Sequence, residues 1–216
     1  MAHWANEALA LARDRGLLRG DPDGAMRPDA TVTRAELALV ANRLYEAALS
    51  AAPATYQPDY ERYGWRVTPA THSRAKPVRY LVVHHEGGTA EGSSALAIHR
   101  YHVKARAEGG RGWAGIGYHA CVEPDGRIAE GRPTWAVGAH AKGYNHESLG
   151  LCLVGNYELW QPTETMIESA AAWLRWQKAI WPQAEVVGHN ELPGMATDCP
   201  GRFIDMDALR ARTKIL

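Results

Sequence analysis

The chain has 216 residues, enough for one full-sized domain and a small one. Its 24 basic and 24 acidic side chains cancel, so composition points to no nucleic-acid partner, although a local patch can still hold a charged polymer. No run approaches the ~18 apolar residues of a membrane span, and Met1-Ala2-His3-Trp4-Ala5-Asn6-Glu7 lacks the basic start and apolar core of an export leader.

There are three cysteines, Cys121, Cys152 and Cys199. An odd count without a leader argues against a disulfide framework. Cys121 and Cys152 lie in apolar, strand-like runs and read as small buried hydrophobes. A bond between them would require neighbouring strands.

From His3 to about Ala48 the pattern is that of a small helical unit. Trp4, Ala5, Ala8, Leu9 and Ala12 share one helical face, and Gly16 is a helix stop. Leu17 to Gly24 is a turn-rich loop. Its Asp21, Asp23 and Gly24 lack the further acidic ligands of a calcium-binding EF-hand loop. Thr33 and Glu36 have capping-box spacing, which starts a second helix with Leu37, Val40, Ala41 and Leu44 on its apolar face. Ser50 to Pro58, rich in Ala, Pro and Tyr, reads as a linker, and Tyr63-Gly64-Trp65 is expected to begin the next domain by packing on it. The expected division is a unit at residues 1–49, linker and lead-in at 50–70, and a large domain at 71–216.

The large domain begins with an expected strand from Val78 to Val83. Ser93 or Ser94 then caps a helix with Ala95, Ile98, His102 and Ala105 on one face, stopped by Gly109-Gly110. Ile116 to Glu123 reads as a strand, Pro124-Asp125-Gly126 as a tight turn, and Arg127 to Glu130 as the returning strand. Leu149 to Val154 is a continuous apolar run, expected as a central strand. Thr163 caps a helix that turns Met166, Ile167, Ala170, Trp173, Leu174 and Trp181 to one side and ends before Pro182. Glu185 to Val187 is a strand, and Asp205 to Arg212 a short helix. Strands alternating with helices predict an α/β domain with a mixed central β-sheet flanked by helices.

Two of these strands end in histidine, at His84-His85 and at His189, and the loop after His189 brings Cys199 back toward it. Neutral imidazole and thiolate are both good zinc ligands. Two strand-end histidines and a loop cysteine leave the fourth tetrahedral position free, the arrangement of catalytic rather than structural zinc.

The N-terminal unit resembles one S-layer homology repeat. The matching residues are His3-Trp4-Ala5, Gly16-Leu17, Gly20-Asp21-Pro22-Asp23-Gly24, Pro28 and Thr33-Arg34-Ala35-Glu36. The resemblance implies attachment to a bacterial secondary cell-wall polymer, with Arg34 in the polymer site. The family usually presents several repeats packed together, whereas this chain carries one.

The large domain resembles the type 2 N-acetylmuramoyl-L-alanine amidases, a family that includes amidase-type phage lysozymes and the peptidoglycan recognition proteins. The resemblance rests on Gly112-Trp113, Gly117-Tyr118-His119, Asp125-Gly126, the run from Ala136 to Asn145, the run from Ser148 to Gly155, and the zinc trio. It implies a zinc hydrolase that cleaves the amide joining N-acetylmuramic acid to the L-alanine of the peptidoglycan stem. By that resemblance the zinc ligands are His84, the first of its pair, with His189 and Cys199. Tyr118 matches the catalytic tyrosine. Thr197 stands where many relatives have lysine and is assigned a supporting role at the oxyanion. His140, Asn145 and His102 are candidates for substrate binding, with a core role for His102 the competing reading. Water, Tyr118 and Glu86 are the candidate carriers of the proton to the leaving amine.

A binding-only recognition module is the alternative, since some members of this family have lost the metal. Such members typically lack the first histidine or the cysteine, and both are present here. A zinc peptidase of another fold is disfavoured by the absence of a His-Glu-x-x-His motif. The missing leader fits a phage endolysin that accumulates in the host cytoplasm before release to the wall. A leader removed from the chain would imply secretion instead.

Overall fold

The structure, a computed structural model, describes residues 52–60, 73–88 and 93–214, together with 12, 13, 31, 37 and 39–41. The chain divides into two units, Met1–Ala52 and Pro53–Leu216. In the first, residues 12–13, 37 and 39–41 are helical. Leu37 and Ala41 are exposed and Val40 is only partly buried, so the apolar face expected there is not a buried one at those positions. Arg34, Trp4 and the Thr33/Glu36 pair lie outside the described residues, as does Tyr63-Gly64-Trp65.

Among the described residues, the second unit is built on a sheet of six strands. They are β1 (Thr55–Tyr56), β2 (Tyr80–His85), β3 (Ala120–Val122), β4 (Ile128–Glu130), β5 (Ser148–Leu153) and β6 (Glu185–Gly188). Their spatial order is β1-β4-β3-β5-β2-β6. Only the β3–β4 hairpin is antiparallel, so the sheet is mixed. Every residue of β5 is buried, the pattern of a strand covered on both faces.

Among the described residues, three α-helices cover the sheet: α1 (Ala95–Val103), α2 (Glu164–Ile180) and α3 (Met206–Arg212). Each begins where a side chain accepts from the backbone N–H three residues on: Ser94 from Ala97, Thr163 from Met166, and Asp205 from Ala208. Each such cap contributes about 1 kcal/mol. Strand alternation then sorts the side chains. Leu81, Val83, Leu149, Leu151 and Leu153 pack with Met166, Trp173, Leu174 and Leu209 of α2 and α3. Cys121, Cys152 and Val154 point to the other face, against Ala95 and Ile98 of α1. Burying one such aliphatic side chain is worth about 1.5–3 kcal/mol, which ties both helix layers to the strands.

Several expectations need correcting. The expected linker from Ser50 to Pro58 contains β1, which pairs in parallel with β4 and is tied down by Tyr56, whose hydroxyl donates to Glu123 Oε1 at 2.7 Å. The expected strand from Ile116 shrinks to Ala120–Val122. The Ile116 and Gly117 N–H groups donate instead to His99 Nδ1 and His102 Nδ1, so no strand ladder reaches them. Helix α1 ends at Val103, short of Ala105, because the chain folds back with Gly112 N donating to Lys104 O at 2.7 Å. A Cβ at Gly110 would stand 2.2 Å from Lys104 O, so glycine is required at that return. Cys121 and Cys152 are buried free thiols on directly opposed positions of β3 and β5.

Candidate metal centre

The parallel pairing of β2 with β6 brings two strand ends together, with Val83 opposite Gly188. His84 follows on β2, and His189 is the first residue beyond β6. The loop after His189 folds back through Asn190 N, which donates to Cys199 O at 2.8 Å. That return sets Cys199 beside the two imidazoles. One donor atom each from His84, His189 and Cys199 lies within 4.8 Å of the other two.

Two details of this trio fit a metal. His84 Nδ1 is 3.5 Å from Cys199 Sγ, a separation that tetrahedral zinc spans with bonds of about 2.0 and 2.3 Å. His189 Nε2 is buried with no hydrogen-bond partner, a costly state unless something else engages it. Charge points the same way. Burial, reinforced by His189, His85 and His119, holds His84 well below its ordinary pKa, and burial lowers His189 too. Both rings are therefore neutral near pH 7 and carry a free lone pair. Burial pushes the Cys199 thiol up to about 12, so a metal taken up here displaces its proton.

Tyr118 lies against this trio, its ring 5.2 Å from that of His84 at an interplanar angle of 52°. Burial, followed by the neighbouring Cys152 and Cys199, holds its phenol well above the usual value, so it remains a hydrogen-bond donor. Thr197 Oγ1 accepts from Cys199 N at 3.2 Å, which leaves its hydroxyl proton available. Asn145 Oδ1 accepts from His140 N and Ala141 N, so Asn145 shapes the loop beside the site. His102 is buried, its Nδ1 engaged by Gly117 N and its ring 4.6 Å from that of Trp113. These contacts hold the segment leading into Tyr118. His140 turns Nδ1 toward His84 Nε2 at 3.0 Å and Nε2 toward Ser148 Oγ at 3.3 Å, so both ring nitrogens face protein atoms. Glu86 Oε1 accepts from Ser93 Oγ at 2.5 Å, while its Oε2 is buried without a partner.

Sequence reasoning missed several supports. Arg74 reaches His119 Nε2 at 3.2 Å and Ala136 O at 3.0 Å, and His119 Nδ1 accepts from Gly150 N. Arg132 is buried and donates to Ile116 O and Val137 O, joining the segments that carry Tyr118 and His140. Neither arginine lies in a motif that marks it.

Comparison with known proteins identifies the family of this domain. The family model for N-acetylmuramoyl-L-alanine amidase matches residues 74–202. The chain belongs to the N-acetylmuramoyl-L-alanine amidase family. Residues 1–38 match the S-layer homology domain. Peptidoglycan-recognition protein SC2 of Drosophila melanogaster is 31% identical over 149 residues, 66% of this chain and 78% of that protein. The endolysin of Escherichia phage T7 is 52% identical over 48 residues, 22% of this chain and 32% of that protein. Among solved structures, the endolysin N-acetylmuramoyl-L-alanine amidase LysCS from Clostridium intestinale URNW superposes with a TM-score of 0.61 at 26% identity, covering 74% of this chain and 95% of that one. Amidases of this family and their recognition-protein relatives thus share the mixed sheet, as expected. No helix among the described residues is long and apolar enough to cross a membrane.

Proposed function

We propose that this protein is a zinc-dependent peptidoglycan hydrolase of the endolysin type, which cleaves the amide between N-acetylmuramic acid and the L-alanine of the stem peptide. The observation that carries this reading is the convergence of His84, His189 and Cys199, with a buried histidine nitrogen left without a partner. When bound, zinc supplies Lewis acidity and brings the pKa of water down to about 7. His84, His189 and Cys199 hold it, two of them as neutral rings. Tyr118 donates to the carbonyl oxygen of the substrate as that oxygen gains charge, and Thr197 adds a second hydroxyl donor. Both donors are held by the protein in advance, so little reorganisation is needed as the charge develops. Asn145 and His102 hold the loops on which the substrate rests.

Relatives named as recognition proteins raise the reading of a binding-only module. A complete set of three donors beside a tyrosine favours hydrolysis over that reading. The N-terminal unit would bind a secondary cell-wall polymer through Arg34, and the protein would act at the wall after release from a phage-infected host. Mass spectrometry of peptidoglycan digests is the test. Hydrolysis as stated yields intact glycan strands and stem peptides with a new L-alanine amino terminus. New reducing sugar ends would indicate a glycosidase, and unchanged peptidoglycan at full zinc loading would indicate recognition alone.

A further inference from the structure

His140 sits in a slot that two glycines make. A Cβ at Gly138 would come within 2.5 Å of its Cδ2, and a Cβ at Gly150 within 2.6 Å of its Cγ. Asn145 pins the backbone of His140 as well, by accepting its N–H at 2.9 Å. The ring is thereby fixed between His84 Nε2, 3.0 Å from its Nδ1, and Ser148 Oγ, 3.3 Å from its Nε2.

The positions of the protons are set from the far end of this row. Ser148 Oγ lies 2.8 Å from the carbonyl oxygen of Tyr144. A carbonyl cannot donate, so the hydroxyl proton occupies that contact. Ser148 Oγ then offers His140 only lone pairs, and His140 Nε2 carries the hydrogen between them. A neutral imidazole has one such hydrogen. His140 Nδ1 is therefore bare and accepts from His84 Nε2–H. His84 is left with a bare Nδ1, the nitrogen that faces Cys199 Sγ at 3.5 Å. The reverse order would press oxygen lone pairs together at 2.8 Å at Ser148, which is fully buried.

We propose that this directed relay, from the Tyr144 carbonyl through Ser148 and His140, fixes His84 in the tautomer whose Nδ1 is free to hold the metal. The proposal rests on the zinc reading for its purpose, though not for its geometry. A metal-ligating histidine ordinarily donates its other N–H to a carboxylate, a backbone carbonyl or a water, and the first two, which can only accept, fix the direction by themselves. Here the partner is a second neutral ring, which has no direction of its own. Ser148 supplies it, so His140 and Ser148 are positioning residues.

The test reads tautomers rather than turnover. In the metal-free full chain, two-bond ¹⁵N–¹H spectra should show His84 and His140 each protonated at Nε2 and bare at Nδ1. His84 protonated at Nδ1 would overturn the relay. Ser148→Ala removes the directing hydroxyl and His140→Leu removes the acceptor. Each should give a mixture of His84 tautomers and weaken zinc binding by about tenfold or more. A single, unchanged His84 tautomer in both variants would overturn the proposal. If the wild-type chain shows the expected tautomers yet takes up no zinc, the relay stands and the zinc reading fails.

Discussion

His84 and Cys199 are 115 residues apart in the chain, and their Nδ1 and Sγ atoms lie 3.5 Å apart. A contact of that sequence separation, between two side chains of types that can ligate zinc, leads to the first prediction. The protein should hold about one zinc per chain and lose activity to a strong chelator. Cys199→Ala should lower occupancy sharply, since a trio reduced to two histidines no longer closes around the ion. Full occupancy in that variant, by metal analysis after dialysis, would remove Cys199 from the site.

Tyr118→Phe should keep both zinc and fold while turnover falls by about a hundredfold or more, the usual loss when one oxyanion donor is deleted. The ring also packs against the cluster of Ile116, Cys152 and Val154, and phenylalanine preserves that contact. The variant therefore separates the hydroxyl from the ring. Near-normal turnover of a soluble muropeptide would mean that Tyr118 serves packing alone.

Much of this site could be read from local pattern. His84 and His189 are visible because each ends an apolar run, and the cap at Thr163 is legible too, while the choice between Ser93 and Ser94 falls to Ser94 and the cap at Asp205 emerges only in the structure. What stayed hidden was whatever depends on a distant partner. Strand β1 is two residues in a proline-rich stretch, too short for alternation, and it exists because Thr55 and Tyr56 find β4 and the side chains of Glu130 and Glu123. The lost part of the strand before Ala120 has β-like sequence, but the N–H groups of Ile116 and Gly117 are claimed by His99 and His102. The dual engagement of His140 needs Ser148 and His84 in place, and no spacing along the chain reports that.

The buried histidines predict acid lability. Burial, then Arg111, Arg132 and His99, lower His102 to about 4, and burial lowers His119 to about 3, with Arg74 and Arg132 adding to the shift. In the folded state each ring is neutral and accepts a backbone N–H on Nδ1. Unfolded, each takes up a proton below about 6.5. The unfolded chain therefore binds more protons in acid, and stability should fall as pH drops from about 6.5 toward 4. His102 alone contributes on the order of 2–3 kcal/mol across that window. Denaturant unfolding of wild type and His102→Gln at several pH values is the measurement. The variant should start less stable and show the shallower pH slope. Equal slopes would assign the acid loss to other groups.

The last prediction concerns the N-terminal unit, and the position of β1 decides how to test it. The two units divide after Ala52, and β1 begins at Thr55 within the sheet. Tyr60, buried nearby, donates its hydroxyl to Glu130 O at 2.7 Å. A chain cut to begin at residue 71 would lose these contacts and should be less stable for that reason alone. A chain cut to begin at Pro53 keeps them and should retain turnover of soluble muropeptides, since the candidate metal ligands and donors all lie beyond Val78. If the first unit attaches the protein to a wall polymer, the Pro53 form should bind whole walls less well. One repeat offers little surface, so the expected loss is about tenfold, or ~1.4 kcal/mol. Arg34→Ala should reproduce much of that loss, and added salt should mimic it if the polymer is anionic. Wall pulldown and muropeptide turnover of the full chain, the Pro53 form and Arg34→Ala are the comparison. Equal wall binding by all three would mean that the N-terminal unit does not attach the protein. Loss of muropeptide turnover in the Pro53 form would mean that this unit supports the catalytic one.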